Sequence, residues 1–197
     1  MNSDDLPGRP AIEFHHYTAA QAREQRRTVE DIYRASYIDA IESGDEFETP
    51  DAFMHRFDAY TDPDRGDGFE LVVAVIDGKP CGQTWGWPLQ KSTAWWGGLS
   101  LDDGDPAEFT EEDGARTFAL SEIMVRSADT GKGVARALHS ELLDGRPEQR
   151  ATLLVRPTNT RAYQTYLRWG WHRSGSLLPS WPDAPTFDVL IRELRHR

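Results

Sequence analysis

Gly131-Lys132-Gly133 stands between an apolar stretch, Thr117 to Val125, and an apolar helical pattern that Asp144-Gly145 and Pro147 bring to a stop. A strand running into such a turn and then a helix exposes successive backbone N–H groups with no β-carbons in the way. The unpaired donors of the first helical turn and the positive end of the helix dipole favour an anion, phosphate above all. Glycines also make tight turns without any ligand, so the pair alone leaves both readings open. Two well-known phosphate loops do not fit. A P-loop requires G-x-x-x-x-G-K followed by Ser or Thr, but Gly133 follows Lys132 and offers no hydroxyl for magnesium. A dinucleotide fold carries G-x-G-x-x-G in its first unit, whereas residues 131–136 lie late in the chain and lack the third glycine.

Downstream, Asn159, Ala162, Tyr166, Gly170 and Trp171 form a second constellation within one short stretch. Together with residues 130–135 they resemble the GNAT superfamily of acyl-CoA-dependent N-acetyltransferases. The cofactor motif of that family is a strand, then Gln or Arg, two residues, Gly, one residue, Gly or Ala, and then a helix. Its next segment reads N-x-x-A-x-x-x-Y-x-x-x-G followed by Phe or Trp. Gly133 and Ala135 fill the small-residue positions of the first motif, and all five residues of the second are present. Thr130 departs from the family, standing where Gln or Arg is usual. Its loss should weaken one pyrophosphate contact, while the backbone cradle survives. Lys132 either supplies charge there or is a solvated surface lysine.

The resemblance implies acetyl-CoA as cosubstrate and no metal. It implies a mixed α/β fold whose central, mostly antiparallel twisted sheet has about seven strands, flanked by about four helices. The fourth and fifth strands splay to admit the pantetheine arm. Met124 and Val125 would bind that arm through their backbone, and Thr130, Gly131, Lys132, Gly133, Val134 and Ala135 would hold the pyrophosphate. Asn159 would contact the cofactor, cap its helix, or do both.

Attack of a neutral amine on a thioester needs a deprotonated nucleophile, a donor for the oxyanion and an acid for the departing thiolate. By the resemblance Tyr166 is the acid: a phenol with a reference pKa of about 10 can protonate a thiolate whose conjugate acid is about 8.5, the more so when close contact raises the sulfur's demand for a proton. A packing role on an amphipathic helix is the plainer alternative. Glu122, inside an apolar strand, is the first choice for the base, against a purely structural hydrogen bond or a water chain with no single base. His139 lies on the helix beyond the glycine turn, too far along for the reaction, and His15, His16, His55 and His172 show no metal spacing.

The elements that must position these groups are legible in outline. Residues 12–17 read as a strand, and Thr18 with Gln21 as a capping box. A helical stripe through Ile32, Tyr33, Ser36, Tyr37, Ala40 and Ile41 ends at Ser43-Gly44, and Thr49-Pro50 opens a second helix. Residues 69–76 and 80–87 read as a hairpin about Asp77-Gly78. Residues 97–116, rich in Asp and Glu, read as a loop, either solvated or an acidic lip for an amine. Then come strand 117–125, the helix after the glycines, strand 151–156, helix 159–169 and strands 171–177 and 187–194. Trp85 and Trp96 are either core or a substrate-side aromatic wall. A polar leader, 1–11, precedes a single domain, 12–197.

Composition narrows the class. The 197 residues are 38% hydrophobic with seven Trp, which suits one folded domain. The start resembles neither a signal peptide nor an anchor, and Cys81 is the single cysteine, so a soluble cytoplasmic protein is expected. A net charge of −11 argues against nucleic acid and toward a cationic acceptor, an aminoglycoside-like antibiotic or a polyamine. No membrane partner is expected, and a homodimer stays open. The competing function is a non-catalytic acyl-CoA-binding sensor.

Overall fold

Thr18 starts the first helix as its spacing to Gln21 predicts: its hydroxyl accepts from the Gln21 N–H at 3.5 Å, and the Gln21 side chain accepts from the Thr18 N–H at 3.0 Å. This cap belongs to a computed structural model that describes residues 11–65, 68–180 and 184–194. Apart from Ala11, the expected leader lies outside the described residues.

In chain order the elements are β1 (Glu13–Thr18), α1 (Ala19–Glu24), α2 (Arg26–Ser36), α3 (Ile38–Glu42), α4 (Pro50–Tyr60), β2 (Glu70–Ile76), β3 (Lys79–Pro88), β4 (Leu99–Leu101) and α5 (Pro106–Thr110). There follow β5 (Thr117–Val125), α6 (Val134–Leu143), β6 (Arg150–Val155), α7 (Thr160–Arg168), β7 (His172–Leu177) and β8 (Phe187–Glu193). The mixed α/β class is the expected one, with one strand and three helices more among the described residues. The extra helices come partly from the first stripe, which breaks at Tyr37 (φ −112, ψ 36), where the Ser36 hydroxyl bonds back to the Ile32 carbonyl at 2.7 Å. The stretch 97–116 also holds β4 and α5. Asp105 caps α5 through the Ala107 N–H and Pro106 takes its first position, the same signal that marks Thr49-Pro50.

Among the described residues, those up to Gly86 together with 122–142 form one compact unit, and 87–121 together with those from Leu143 onward form another. In the first unit the strand order is β1-β2-β3-β5. β1 and β2 run antiparallel from Glu13↔Val75 to Thr18↔Glu70, and β2 and β3 form the expected hairpin, turning at Asp77 and Gly78 with φ 51 and 72. Phe53 and Phe57 of α4 pack their rings 5.6 and 5.5 Å from Trp85, and Tyr33 of α2 stacks on Phe53 at 3.8 Å. These side chains are all buried, so Tyr33 of the first expected helix and Phe53 and Phe57 of the second close this core.

In the second unit the order is β5-β6-β8-β7-β4. β5 and β6 are parallel and pair from Thr117↔Arg150 to Ala119↔Thr152, where the ladder ends although β6 runs on to Val155 against β8. These are the fourth and fifth strands of the sequence reading. The acidic stretch of this unit is tied down rather than wholly solvated. Glu112 is 4% exposed, and its Oε1 accepts from Trp96 Nε1 at 3.1 Å, Thr117 Oγ1 at 2.7 Å and Arg150 at 3.3 Å. Arg150 also donates to the Phe109 carbonyl at 2.6 Å, holding the end of α5. A buried carboxylate kept among donors in this way avoids the desolvation cost it would otherwise incur.

Candidate functional site

In the first unit β5 leads through a single 3₁₀ turn, Ser127–Asp129, into the glycine pair and α6. Gly131 and Gly133 take φ 84 and 86, a left-handed conformation in which a side chain is strained. A β-carbon at Gly131 would meet nothing within 4 Å, so the turn is open on that side. Gly133 accepts from the Ala137 N–H at 3.1 Å and thus heads α6. Ahead of it the first-turn N–H groups have no helical acceptor, the arrangement that suits a phosphate. Val134 is buried, and Lys132 is paired with Asp129 at 2.6 Å rather than merely solvated.

Gly82 of β3 seats this helix, and sequence reasoning did not single it out. A β-carbon there would stand 2.9 Å from the Met124 carbonyl, 3.0 Å from Leu138 Cδ1 and 3.2 Å from Val134 Cγ1. A glycine in the middle of an apolar strand is the signal that marks such a close approach. Met124 is buried and its sulfur accepts from Gln83 Nε2 at 3.3 Å, which fixes the strand just before the turn.

Glu122 lies two residues before Met124 on β5, half-buried, and its backbone carbonyl accepts from Thr84 Oγ1 at 2.7 Å. Its carboxylate makes no hydrogen bond among the described residues. Burial pushes its pKa from 4.5 up to about 7, Arg56 pulls it down, and Glu48 adds to the rise. A carboxyl that titrates near neutrality is suited to taking a proton. Around it stand groups to which the sequence reading gave no part in the site. The Tyr33 hydroxyl donates to the Glu48 carbonyl at 2.9 Å and lies 3.3 Å from its carboxylate; burial first, then Glu48, holds that phenol protonated. Arg56 donates to the Phe47 carbonyl at 2.9 Å, with its guanidinium 3.9 Å over the Phe47 ring. No sequence pattern connects β5 with these three helix and turn positions.

The second unit carries the other motif. Asn159 caps α7, its Oδ1 accepting from the Ala162 N–H at 3.2 Å, so the Asn-to-Ala spacing is that of a cap and the third residue after it. Tyr166 is half-buried on α7, and the rings of Trp169 and Trp171 stand edge-on to it at 5.9 and 6.2 Å. The expected substrate-side indoles are both buried, each in its own unit: Trp85 is 1% exposed against Phe53 and Phe57, and Trp96 bonds Glu112.

The acetyltransferase (GNAT) family model matches residues 27–171, a span that takes in both motifs. The chain belongs to the GNAT acetyltransferase family. No curated protein sequence gives a significant match to it. Solved structures share the GNAT fold. An acetyltransferase from Thermus thermophilus is 14% identical, with 93% of this chain and 97% of that chain covered at a TM-score of 0.60. The PaiA N-acetyltransferase from Thermoplasma acidophilum, in complex with coenzyme A, is 13% identical, with 93% and 99% covered at 0.52. Aminoglycoside 6'-acetyltransferase type Ii is 13% identical, with 94% and 99% covered at 0.61. Among the described residues no helix is long and apolar enough to cross a membrane.

Proposed function

We propose that this chain is an N-acetyltransferase that moves an acetyl group from acetyl-CoA to a primary amine of a small molecule or a protein, by direct attack of the amine on the thioester. The observation that carries the reading is Glu122. It lies on the strand that leads into the glycine turn, its carboxylate has no hydrogen bond among the described residues, and it titrates near neutrality.

Acetyl-CoA supplies the activated acetyl group. Met124 and Val125 bind its pantetheine arm through their backbone, and residues 130–135 hold its pyrophosphate, with Asn159 in the same coenzyme-binding set. Glu122 takes the amine proton, directly or through a water. Tyr166 gives a proton to the departing thiolate, an assignment that rests on its place in the family motif. Residues 12–197 act as one catalytic domain, as the family match across 27–171 supports.

The acceptor is a cationic amine, antibiotic-like or polyamine-like. The net charge of −11, Glu48 beside Glu122 and the aminoglycoside acetyltransferase among the fold neighbours support this class. A cytoplasmic location suits an enzyme that consumes acetyl-CoA and keeps a buried thiol, Cys81. The test is thiol release from acetyl-CoA with a panel of amines. Amine-dependent release supports the enzyme; tight acetyl-CoA binding with no release on any amine makes the chain an acyl-CoA sensor.

A further inference from the structure

Three polar groups on one face of the first unit's sheet have no hydrogen-bond partner among the described residues. Gln83 is fully buried, and its Nε2 donates to the Val29 carbonyl at 3.0 Å and to the Met124 sulfur at 3.3 Å. That fixes the amide and leaves its Oε1 without a donor. Trp85 is 1% exposed, and its indole Nε1–H has no acceptor. The third is the Glu122 carboxylate. Native interiors pair such groups with protein or with ordered water, because leaving them bare is costly.

Strand alternation brings the three together. β3 and β5 are neighbours, and contacts climb one as they descend the other: the Cys81 carbonyl with the Arg126 N–H at 2.9 Å, Gln83 with Met124, Thr84 Oγ1 with the Glu122 carbonyl. Gln83 and Trp85 share a face, since side chains repeat every second residue. Met124 meets Gln83 on that face, and Glu122, two residues before Met124, shares it. The helices above agree. Trp85 packs on Phe53, Tyr33 stacks on Phe53, and the charge of Glu122 is felt at the Tyr33 hydroxyl. The other charged groups that face Glu122 are Arg56 of α4 and Glu48 of the turn before it.

The donor count closes around one water. A water accepts from Trp85 Nε1 and donates to Gln83 Oε1 and to the Glu122 carboxylate, and three bonds are what a buried water ordinarily makes. Glu122 is half-buried, so solvent has a way in. We infer that Trp85 and Gln83 are positioning residues that hold one ordered water against Glu122, and that this water fixes the carboxylate from the β3 side. It lies behind the base rather than between base and amine. A donor to the ionised carboxylate offsets part of the burial that opposes it. The functional part rests on the reading of Glu122 as the base.

The experiment is a high-resolution crystal structure of the full chain, joined to a carbon-13 NMR titration of its glutamate carboxyls, for wild type and Trp85→Phe. Glu122→Gln identifies the Glu122 signal, and circular dichroism checks folding. Wild type should show one ordered water within about 3.2 Å of Trp85 Nε1, Gln83 Oε1 and a Glu122 oxygen. In Trp85→Phe the water loses its donor, and the Glu122 midpoint should rise by about one pH unit as the anion loses support. No water at that place, or a midpoint that stays or falls in the variant, overturns the inference. Should Trp85→Phe fail to fold, the wild-type crystal decides alone. A wild-type Glu122 midpoint at the ordinary 4.5, with the water in place, removes the base reading and leaves the water.

Discussion

The backbone N–H of Trp171 donates to the Tyr166 carbonyl at 3.1 Å, and that of Gly170 to the Leu167 carbonyl at 3.1 Å, so the motif glycine closes α7 behind the motif tyrosine. This is a helix stop in which the residue after the cap must be left-handed, and Gly170 has φ 86. The same turn brings the Trp171 ring to 6.2 Å from Tyr166. With Asn159 capping the other end, the spacing of the motif is a way to hold one phenol at a fixed place on a short helix.

Gly170→Ala puts a side chain into that left-handed turn but meets no clash, since nothing lies within 4 Å of a β-carbon there. The expected cost is about 1 kcal/mol, a fall in Tm of roughly 2–4 °C for a chain of this size. Calorimetry reads it directly; an unchanged Tm would mean that α7 does not depend on this stop.

Glu122→Gln should separate stability from activity. The folded-state pKa of Glu122 is raised from 4.5 to about 7, so the protonated form is the one the fold favours. Its contribution to stability is complete below about pH 4.5 and is lost as pH rises through 7. At pH 8 the Gln variant should therefore be the more stable, by on the order of 1–3 kcal/mol, with little difference at pH 4. Wild-type turnover should climb through pH 7 as the base ionises. The variant should lose about a hundredfold in rate together with that climb. Thermal melts and rate profiles of both proteins across pH check the two halves.

His16 faces a carboxylate at each ring nitrogen, Glu70 at 2.8 Å and Glu141 at 2.9 Å. A neutral imidazole has one N–H, so only the imidazolium satisfies both. Burial works against that charge, but the hydrogen bonds that the imidazolium donates to Glu70 and Glu141 outweigh it and raise the pKa above 6.5. The link from β1 and β2 to α6 should thus be fully present below pH 6.5 and lost at higher pH. His16→Gln should lower Tm at pH 5.5 and make little difference at pH 9. An equal effect at both pH values would show that the charge is not what matters.

Gly133→Asp places an anion at a left-handed position in the glycine turn. Acetyl-CoA affinity should fall by roughly a hundredfold or more, because the helix start then repels phosphate instead of attracting it. A circular dichroism spectrum like that of wild type should accompany the loss; retained affinity would move the phosphate site elsewhere.

Much of this was written in local pattern. The capping box at Thr18 and Gln21, the hairpin at Asp77-Gly78 and the cap at Asn159 are each decided by residues within a few positions of one another, and the structure has all of them. What the pattern missed depends on distance or on shortness. β4 is three residues long and shows no periodicity, and α5 carried the Asp105-Pro106 signal inside an acidic stretch that masked it. Gly82 matters because α6, some fifty positions later, packs onto it. The setting of Glu122 is made by Glu48 and Arg56, more than sixty positions earlier. Charge count alone read 97–116 as an acidic loop, but Glu112 is buried by pairing with Trp96, Thr117 and Arg150.

The most direct test of the central claim is amine-dependent thiol release from acetyl-CoA by wild type and Tyr166→Phe, side by side across pH. The wild-type chain should release thiol only when an amine is present. The Phe variant should bind acetyl-CoA normally and be slower by about 10²–10⁴-fold, the usual worth of a positioned proton donor. A Phe variant as fast as wild type at every pH would contradict the role given to Tyr166. Acetyl-CoA bound tightly by wild type with no release on any amine would contradict the acetyltransferase itself.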